Sequence, residues 1–239
     1  MKVVIIGYGK MGRTIERVAL TKGNEVVGHI DIDTSPAERQ ALYLEADVGI
    51  EFSHPDAAYN NITEAITSGL PVVSGTTGWL DKFESIKELV SETEGAFFYA
   101  SNYSIGVNIF WSINEQLAKI MNDYPSYDVK MEEVHHIHKK DEPSGTAITT
   151  SEGITNNLSR KNSWTLANTP EKDEIAIEAR REGEVFGIHA VDYKSPMDTI
   201  RIYHEAHTRD GFAQGAVMAA QWLHGKQGIY GMKDMLGMN

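Results

Sequence analysis

The sequence predicts an α/β chain in two parts, a parallel-sheet domain followed by an α+β domain whose sheet is antiparallel or mixed. Three observations predict it. Early in the chain, short β-branched runs alternate with stretches of helical spacing about 10–15 residues long. Near residue 104 that alternation stops. Between residues 174 and 205 three strand-like runs follow one another with no helix between them, as neighbouring antiparallel strands do.

The elements follow in order. Residues 3–6, Val-Val-Ile-Ile, are a β-branched run ending in glycines, which is the look of a buried parallel strand. Residues 10–21 set Met11, Ile15, Val18 and Ala19 at helical spacing. A strand at 25–30 closes on Asp31, a strand at 47–52 follows, and a helix at 55–68 precedes a strand at 71–74. After Gly78 a charged helix runs to residue 92, then a strand at 96–100. Beyond 104 come a long helix at 105–121 and a strand at 127–134 that enters a cluster of His and Lys. Ser144 is placed to cap a helix over 144–158, and the polar residues 159–172 read as loop. Runs at 174–181, 185–192 and 198–205 are the successive strands, and an amphipathic helix at 211–224 ends the pattern.

Composition narrows the function. The 239 residues are 41% hydrophobic and 23% charged, which is ordinary globular usage. With 22 Lys+Arg against 34 Asp+Glu the net charge is −12, a field that repels nucleic acid and acidic membranes. No cysteine is present, so disulfides, thiolate zinc sites and cysteine nucleophiles are excluded. No apolar stretch approaches the ~20 residues of a membrane helix, and the run at 3–6 is too short for a signal peptide. A soluble, cytoplasmic chain is expected.

Gly7-Tyr8-Gly9-Lys10-Met11-Gly12 is GxGxxG between a strand and a helix. The first glycine permits the tight turn, the second lets a pyrophosphate approach the backbone, and the third lets helix pack on strand. The helix N-terminus offers N–H groups to the phosphates. Asp31 ends the next strand 19 residues after Gly12, where a ribose hydroxyl is met. The pattern is that of a Rossmann-like dinucleotide-binding domain; the competing reading is a structural turn in another α/β domain. Gly75-Thr76-Thr77-Gly78 and Ala100-Ser101-Asn102-Tyr103 also follow strands, the position from which loops reach the nicotinamide end.

The densest chemistry is His135-His136-Ile137-His138-Lys139-Lys140, continuing through Asp141 to Thr146. Three readings compete there. Histidines so spaced bind zinc, although two adjacent ammonium groups repel a cation, and no metal is expected. A solvated basic loop is the second reading. The third is an anion site with acid–base groups, where a local positive patch attracts a small dicarboxylate and the helix start at Ser144-Gly145-Thr146 adds N–H donors.

The run from His135 to Ala147, HHxxKxDxPSGTA, resembles the signature of the dihydrodipicolinate reductase family. The likeness extends to the glycine loop at 7–12, to Gly75–Gly78, and to Asn102–Asn108. It also covers Arg181-Glu182-Gly183 with Gly187-Ile188-His189, and Phe212–Ala216 with Trp222-Leu223. One departure is that residues 33–47 are shorter than in many members, which implies a reduced wall on the adenosine side. The resemblance implies a Rossmann-like domain of residues 1–104 with 211–239, and a substrate-binding and tetramerisation domain of residues 105–210. It implies NAD(P)H-dependent reduction of 4-hydroxy-tetrahydrodipicolinate in lysine biosynthesis by a homotetramer. His135 and Lys139 would be the acid–base pair, and His136, Lys139, Gly145 and Thr146 would hold substrate carboxylates.

Two rivals stand beside it: an amino-acid dehydrogenase of the aspartate or diaminopimelate type, and a non-catalytic dinucleotide sensor. For the cofactor, Asp31 and Asp33 follow the second strand where an NADP site carries an arginine. The next cation is Arg39, so NADH is expected to be preferred, with NADPH possible.

Overall fold

The computed structural model describes residues 1–167, 169–208 and 210–238. Asn168, Arg209 and Asn239, which fall within the two expected domains, lie outside the described residues. The chain begins β1 (Lys2–Ile6), α1 (Lys10–Thr21), β2 (Glu25–Ile30), α2 (Pro36–Glu45), β3 (Val48–Glu51), α3 (Pro55–Thr67), β4 (Val72–Ser74). A 3₁₀ turn (Leu80–Lys82), α4 (Phe83–Thr93) and β5 (Ala96–Tyr99) follow. Next come α5 (Ile105–Met121), β6 (Asp128–His135), α6 (Gly145–Thr155), β7 (Ser163–Thr165), β8 (Glu174–Arg181), β9 (Ile188–Lys194) and β10 (Thr199–Glu205). The last elements are α7 (Asp210–Leu223), β11 (Gly228–Tyr230) and α8 (Met232–Leu236).

The chain divides into two compact units, Met1–Ser104 with Asp210–Asn239, and Ile105–Arg209. In the first unit six parallel strands lie in the order β11-β5-β4-β3-β1-β2. Helices α2, α3 and α4 bury Val4, Ile6 and Phe97 on one face, and α7 lies along β3, β4 and β5. A sheet covered on both faces explains why residues 3–6 are apolar throughout and not alternating. Helix α7 approaches closely because its contact residues are small: a Cβ on Gly215 would sit 1.8 Å from the Tyr103 carbonyl oxygen.

The second unit is a mixed sheet in the order β10-β9-β6-β8-β7. Strand β6 runs antiparallel to β9 and parallel to β8, and α5 and α6 contribute Phe110, Ala118, Ala147 and Ile154 to the core over it. This register sets Glu133 opposite His189 and His135 opposite Arg181. Glu133 and His135 are two apart on β6, so both side chains leave the same face.

Several elements differ from the sequence expectation. Helix α2 forms in a segment to which the sequence reading assigns no element. Its start is a capping box, with Ser35 accepting from the Glu38 N–H, Glu38 accepting from the Ser35 N–H, and Pro36 in the first turn. Strand β7 lies inside the segment expected as loop, held by pairing with β8 and not by its own composition. Strand β9 starts at Ile188 and not at 185, because Val185 belongs to a turn whose N–H donates to the Glu182 carbonyl at 3.2 Å. β11 and α8 carry too few residues to show a period.

Candidate active site

The cofactor half lies in the first unit. Gly7 has φ +91°, its N–H donates to the Ile30 carbonyl at 2.8 Å, and a Cβ there would meet the Phe52 carbonyl at 2.4 Å. On Gly12 a Cβ would meet the Gly7 carbonyl at 2.2 Å. Gly9 differs: it caps α1, and a Cβ on it would meet nothing within 4 Å. Packing thus requires the first and third glycines, while the second faces open space at a helix N-terminus, where a phosphate group fits.

Strand β1 lies between β2 and β3, so the chain leaves it in opposite directions, which makes this the switch point of the sheet. A cavity of about 600 Å³ opens there, with Gly7, Tyr8, Gly9 and Asp31 on one side and Phe52 and Ser53 on the other. A second space of about 360 Å³ brings Gly9, Lys10 and Met11 together with Gly75, Thr76 and Thr77. The Tyr8 ring stacks on His29 at 3.7 Å, and its hydroxyl donates to Glu16. Ala100, Ser101, Asn102 and Tyr103 line neither space. The Tyr103 side chain belongs to the core, with its hydroxyl donating to the Ser74 carbonyl at 2.7 Å, so its backbone is what it can offer a ligand.

One residue here is absent from the sequence reading. Glu51, at the end of β3, is fully buried. Its carboxylate accepts from Ser74 Oγ at 2.6 Å, Thr76 Oγ1 at 2.9 Å, and both the N–H and hydroxyl of Ser53. It ties the two loops that line the second space to one point. Arg39 reaches the main cavity but is occupied, donating to Glu64 Oε2 at 2.6 and 2.8 Å and to Asn61 Oδ1 at 2.7 Å.

The chemical half lies in the second unit around Glu133, which is fully buried. Its Oε1 accepts from the Ser144 N–H at 3.1 Å and from Arg181 Nη2 at 3.1 Å. Its Oε2 lies 3.2 Å from His135 Nδ1 and 3.9 Å from His189 Nε2. Burial pushes the Glu133 carboxyl up, but the contacts from His135 and Ser144 outweigh it and hold it at about 2. Burial, reinforced by the neighbouring His135, lowers His189 to about 3, so that ring is neutral at neutral pH. His189 Nε2 also lies 3.3 Å from Ser144 Oγ.

The remaining signature residues surround this cluster. Lys139 Nζ is held by Asp141 at 2.8 and 2.9 Å, and Arg181 Nη2 donates to the Asp141 carbonyl at 2.6 Å. Ser144 caps α6 through its Oγ, which accepts from the Ala147 N–H at 3.2 Å. Gly145 and Thr146 are the first residues of that helix, and a Cβ on Gly145 would meet nothing within 4 Å. His136 lies half-buried just beyond β6. Among the described residues, Glu133, His135 and His189 offer atoms within 4.8 Å of one another, a spacing that admits a metal ion. Arg181 already sits on that carboxylate, and its fixed positive charge opposes one. The cluster is instead equipped to hold and move protons beside a patch suited to carboxylates.

A parallel sheet with a glycine loop at its switch point, joined in one chain to a buried acid–base cluster, defines a nicotinamide-dependent oxidoreductase. Comparison with known proteins gives the particular family. Residues 1–103 match the family described as "Dihydrodipicolinate reductase, N-terminus", and residues 106–236 match "Dihydrodipicolinate reductase, C-terminus". The chain is 45% identical over 236 residues to the 4-hydroxy-tetrahydrodipicolinate reductase of Christiangramia forsetii, covering 99% of this chain and 98% of that protein. It is 38% identical over 255 residues to the same-named protein of Methanoculleus marisnigri, covering 100% of both. In fold it is similar to a dipicolinate-bound dihydrodipicolinate reductase from Paenisporosarcina sp. TG-14, with TM-score 0.78, 21% identity and 98% of each chain covered. The chain belongs to the dihydrodipicolinate reductase family.

Proposed function

We propose that the chain reduces 4-hydroxy-tetrahydrodipicolinate to tetrahydrodipicolinate, with loss of water, in the diaminopimelate and lysine route. The observation that carries this is the 45% identity, over nearly the whole chain, to an enzyme of that name. The HHxxKxDxPSGTA run stands complete at residues 135–147. NAD(P)H, when bound, supplies a hydride. Gly7 to Gly12 hold its pyrophosphate at the start of α1, Asp31 accepts from ribose hydroxyls, and the loops at 75–77 and 100–103 serve the nicotinamide end.

His135 and Lys139 are the acid–base pair. The substrate ring gains negative charge as it is reduced, so a proton donor held beside it lowers the barrier. His136, Gly145 and Thr146, with Lys139, hold the two carboxylates. The Lys139–Asp141 pair is partly exposed and therefore weak, so a substrate carboxylate competes for that ammonium at little cost.

NADH is the preferred cofactor. Two basic side chains line the cavity beside Asp31, and each already faces a carboxylate: Arg39 faces Glu64, and His54 faces Asp56 at 3.3 Å. A 2′-phosphate would find Asp31 without a free cation to offset it. The protein works in the cytoplasm as a homotetramer; the edge strand β10 presents Ile200 and Tyr203 to solvent, apolar surface that a second copy would cover. Light scattering after gel filtration checks the tetramer. The deciding assay is NADH oxidation on adding the product of a dihydrodipicolinate synthase reaction. NADH oxidation that depends on that product supports the reading. Turnover only with an amino acid and NAD would make the chain an amino-acid dehydrogenase instead.

A further inference from the structure

We propose that Glu133 is the positioning residue of the reaction. Its buried carboxylate holds the Nδ1 side of His135, turns Nε2 toward the substrate, and stabilises the imidazolium between turnovers. The inference rests on the reading of His135 as a proton donor.

Three observations carry it. First, the two oxygens of Glu133 divide their partners. Oε1 is used by the Ser144 N–H and Arg181, both at 3.1 Å, while Oε2 is turned to His135 at 3.2 Å. The Oε1 contacts fix the carboxylate so that Oε2 has one direction available. Second, the opposite side of the ring lies against a glycine. A Cβ on residue 187 would come within 3.1 Å of His135 Nε2, and that residue is Gly187. Third, the same carboxylate connects to the rest of the site. Through Ser144 it is one bond from the start of α6, and through Arg181 it reaches the Asp141 carbonyl, whose own side chain holds Lys139. One buried charge therefore aligns the imidazole, the helix N-terminus and the lysine loop. A carboxylate that orients an imidazole and stabilises its protonated form is a recurrent arrangement, and removing its charge costs up to about 10⁴-fold in kcat.

The groups facing the His135 ring limit what a pH profile reports. Glu133 lies on its own strand, His189 faces it from β9 with ring centroids 5.1 Å apart, and Arg181 reaches Glu133 from β8. Lys139 and Asp141 lie on the following loop. His189 is held neutral, and Glu133 is the only carboxylate at His135 Nδ1 among the described residues. Replacing Glu133 by Gln removes the negative charge that favours imidazolium.

The test is the pH dependence of kcat for wild type, Glu133→Gln and Glu133→Asp, with NADH binding measured separately. For Glu133→Gln, kcat falls by up to about 10⁴-fold while NADH affinity, which belongs to the other unit, is unchanged. Its alkaline limb moves to lower pH. Glu133→Asp, which keeps the charge, retains the wild-type limb. A Gln variant with wild-type kcat and profile overturns the inference, as does restoration of EDTA-treated enzyme by zinc. Should Glu133→Gln not fold, ¹⁵N shifts of labelled wild-type enzyme decide. A neutral His135 protonated on Nδ1 supports the proposal, and one protonated on Nε2 overturns it. His135→Ala separates the two levels: if it keeps full turnover, the reading of His135 fails, whereas an inactive His135→Ala beside a normal Glu133→Gln fails only this inference.

Discussion

Each unit buries one glutamate completely, and the two are put to different use. Glu51 in the first unit is surrounded by neutral donors, the hydroxyls of Ser53, Ser74 and Thr76. Glu133 in the second is surrounded by cationic or ionisable ones, Arg181, His135 and His189. Hydroxyls satisfy a carboxylate without answering to its charge, so Glu51 ties loops together and leaves the ligand to the backbone. Arg181 brings a fixed positive charge and the imidazoles can ionise, so the partners of Glu133 hold its own carboxyl at about 2 despite its burial. The contrast holds for the whole of each site. The cofactor half is made of glycine backbone and open space, and the chemical half of paired side chains drawn from three strands and a loop.

The comparison breaks first at the proposed acid–base pair. His135→Ala and Lys139→Ala are expected to lower kcat by about 10²–10⁴-fold while NADH binding, measured by fluorescence titration, stays as in wild type. Weakened NADH binding in either variant would mean that the two halves do not divide the work.

Acid stability is the next largest effect and belongs to the side-chain site. His189 is lowered to about 3 and Glu133 to about 2, so below their ordinary values of 6.5 and 4.5 the unfolded chain takes up protons that the folded chain refuses. Stability therefore falls with pH, from about 6.5 downward for His189 and from about 4.5 to 2 for Glu133. The Glu133 contribution is of the order of 3 kcal/mol. Urea midpoints across this range check it: His189→Gln is expected to flatten the upper part of the slope, and an unchanged slope would count against a neutral buried ring.

The glycines sharpen the backbone side. Gly12→Ala places a Cβ 2.2 Å from the Gly7 carbonyl and is expected to lower stability by about 1–3 kcal/mol. Gly9→Ala meets no protein atom within 4 Å, so Tm is expected to hold while NADH affinity drops. Thermal melts with and without NADH distinguish the two.

The smallest effect is cofactor choice. Asp31→Ala is expected to shift the NADH to NADPH ratio of kcat/KM several-fold toward NADPH, the scale of one screened charge pair, about 1 kcal/mol. Steady-state kinetics with both cofactors measure it, and an unchanged ratio would remove Asp31 from the role.

By itself the sequence determined what is local. The GxGxxG turn, the alternation of strand and helix to residue 100, the Ser144 cap and the helix at 105–121 each follow from spacing within a few residues, and each is found in the structure. The capping box of α2, Ser35 with Glu38, is equally local. What the tertiary structure decided is the environment of buried charge. The alternation of Val129 and Met131 with Asp128 and Lys130 puts Glu133 on the buried face and Glu132, which pairs with Arg180 and Arg201, on the other, but it names none of the partners of Glu133. The register of β6 with β8 and β9 brings Arg181 and His189 to that carboxylate. Glu51 likewise meets Ser74 and Thr76 only because β3 and β4 are neighbours in the sheet. A turn is encoded by the backbone freedom of its own residues, whereas the charge state of a buried carboxylate depends on partners dozens of residues away, which only strand pairing brings within reach.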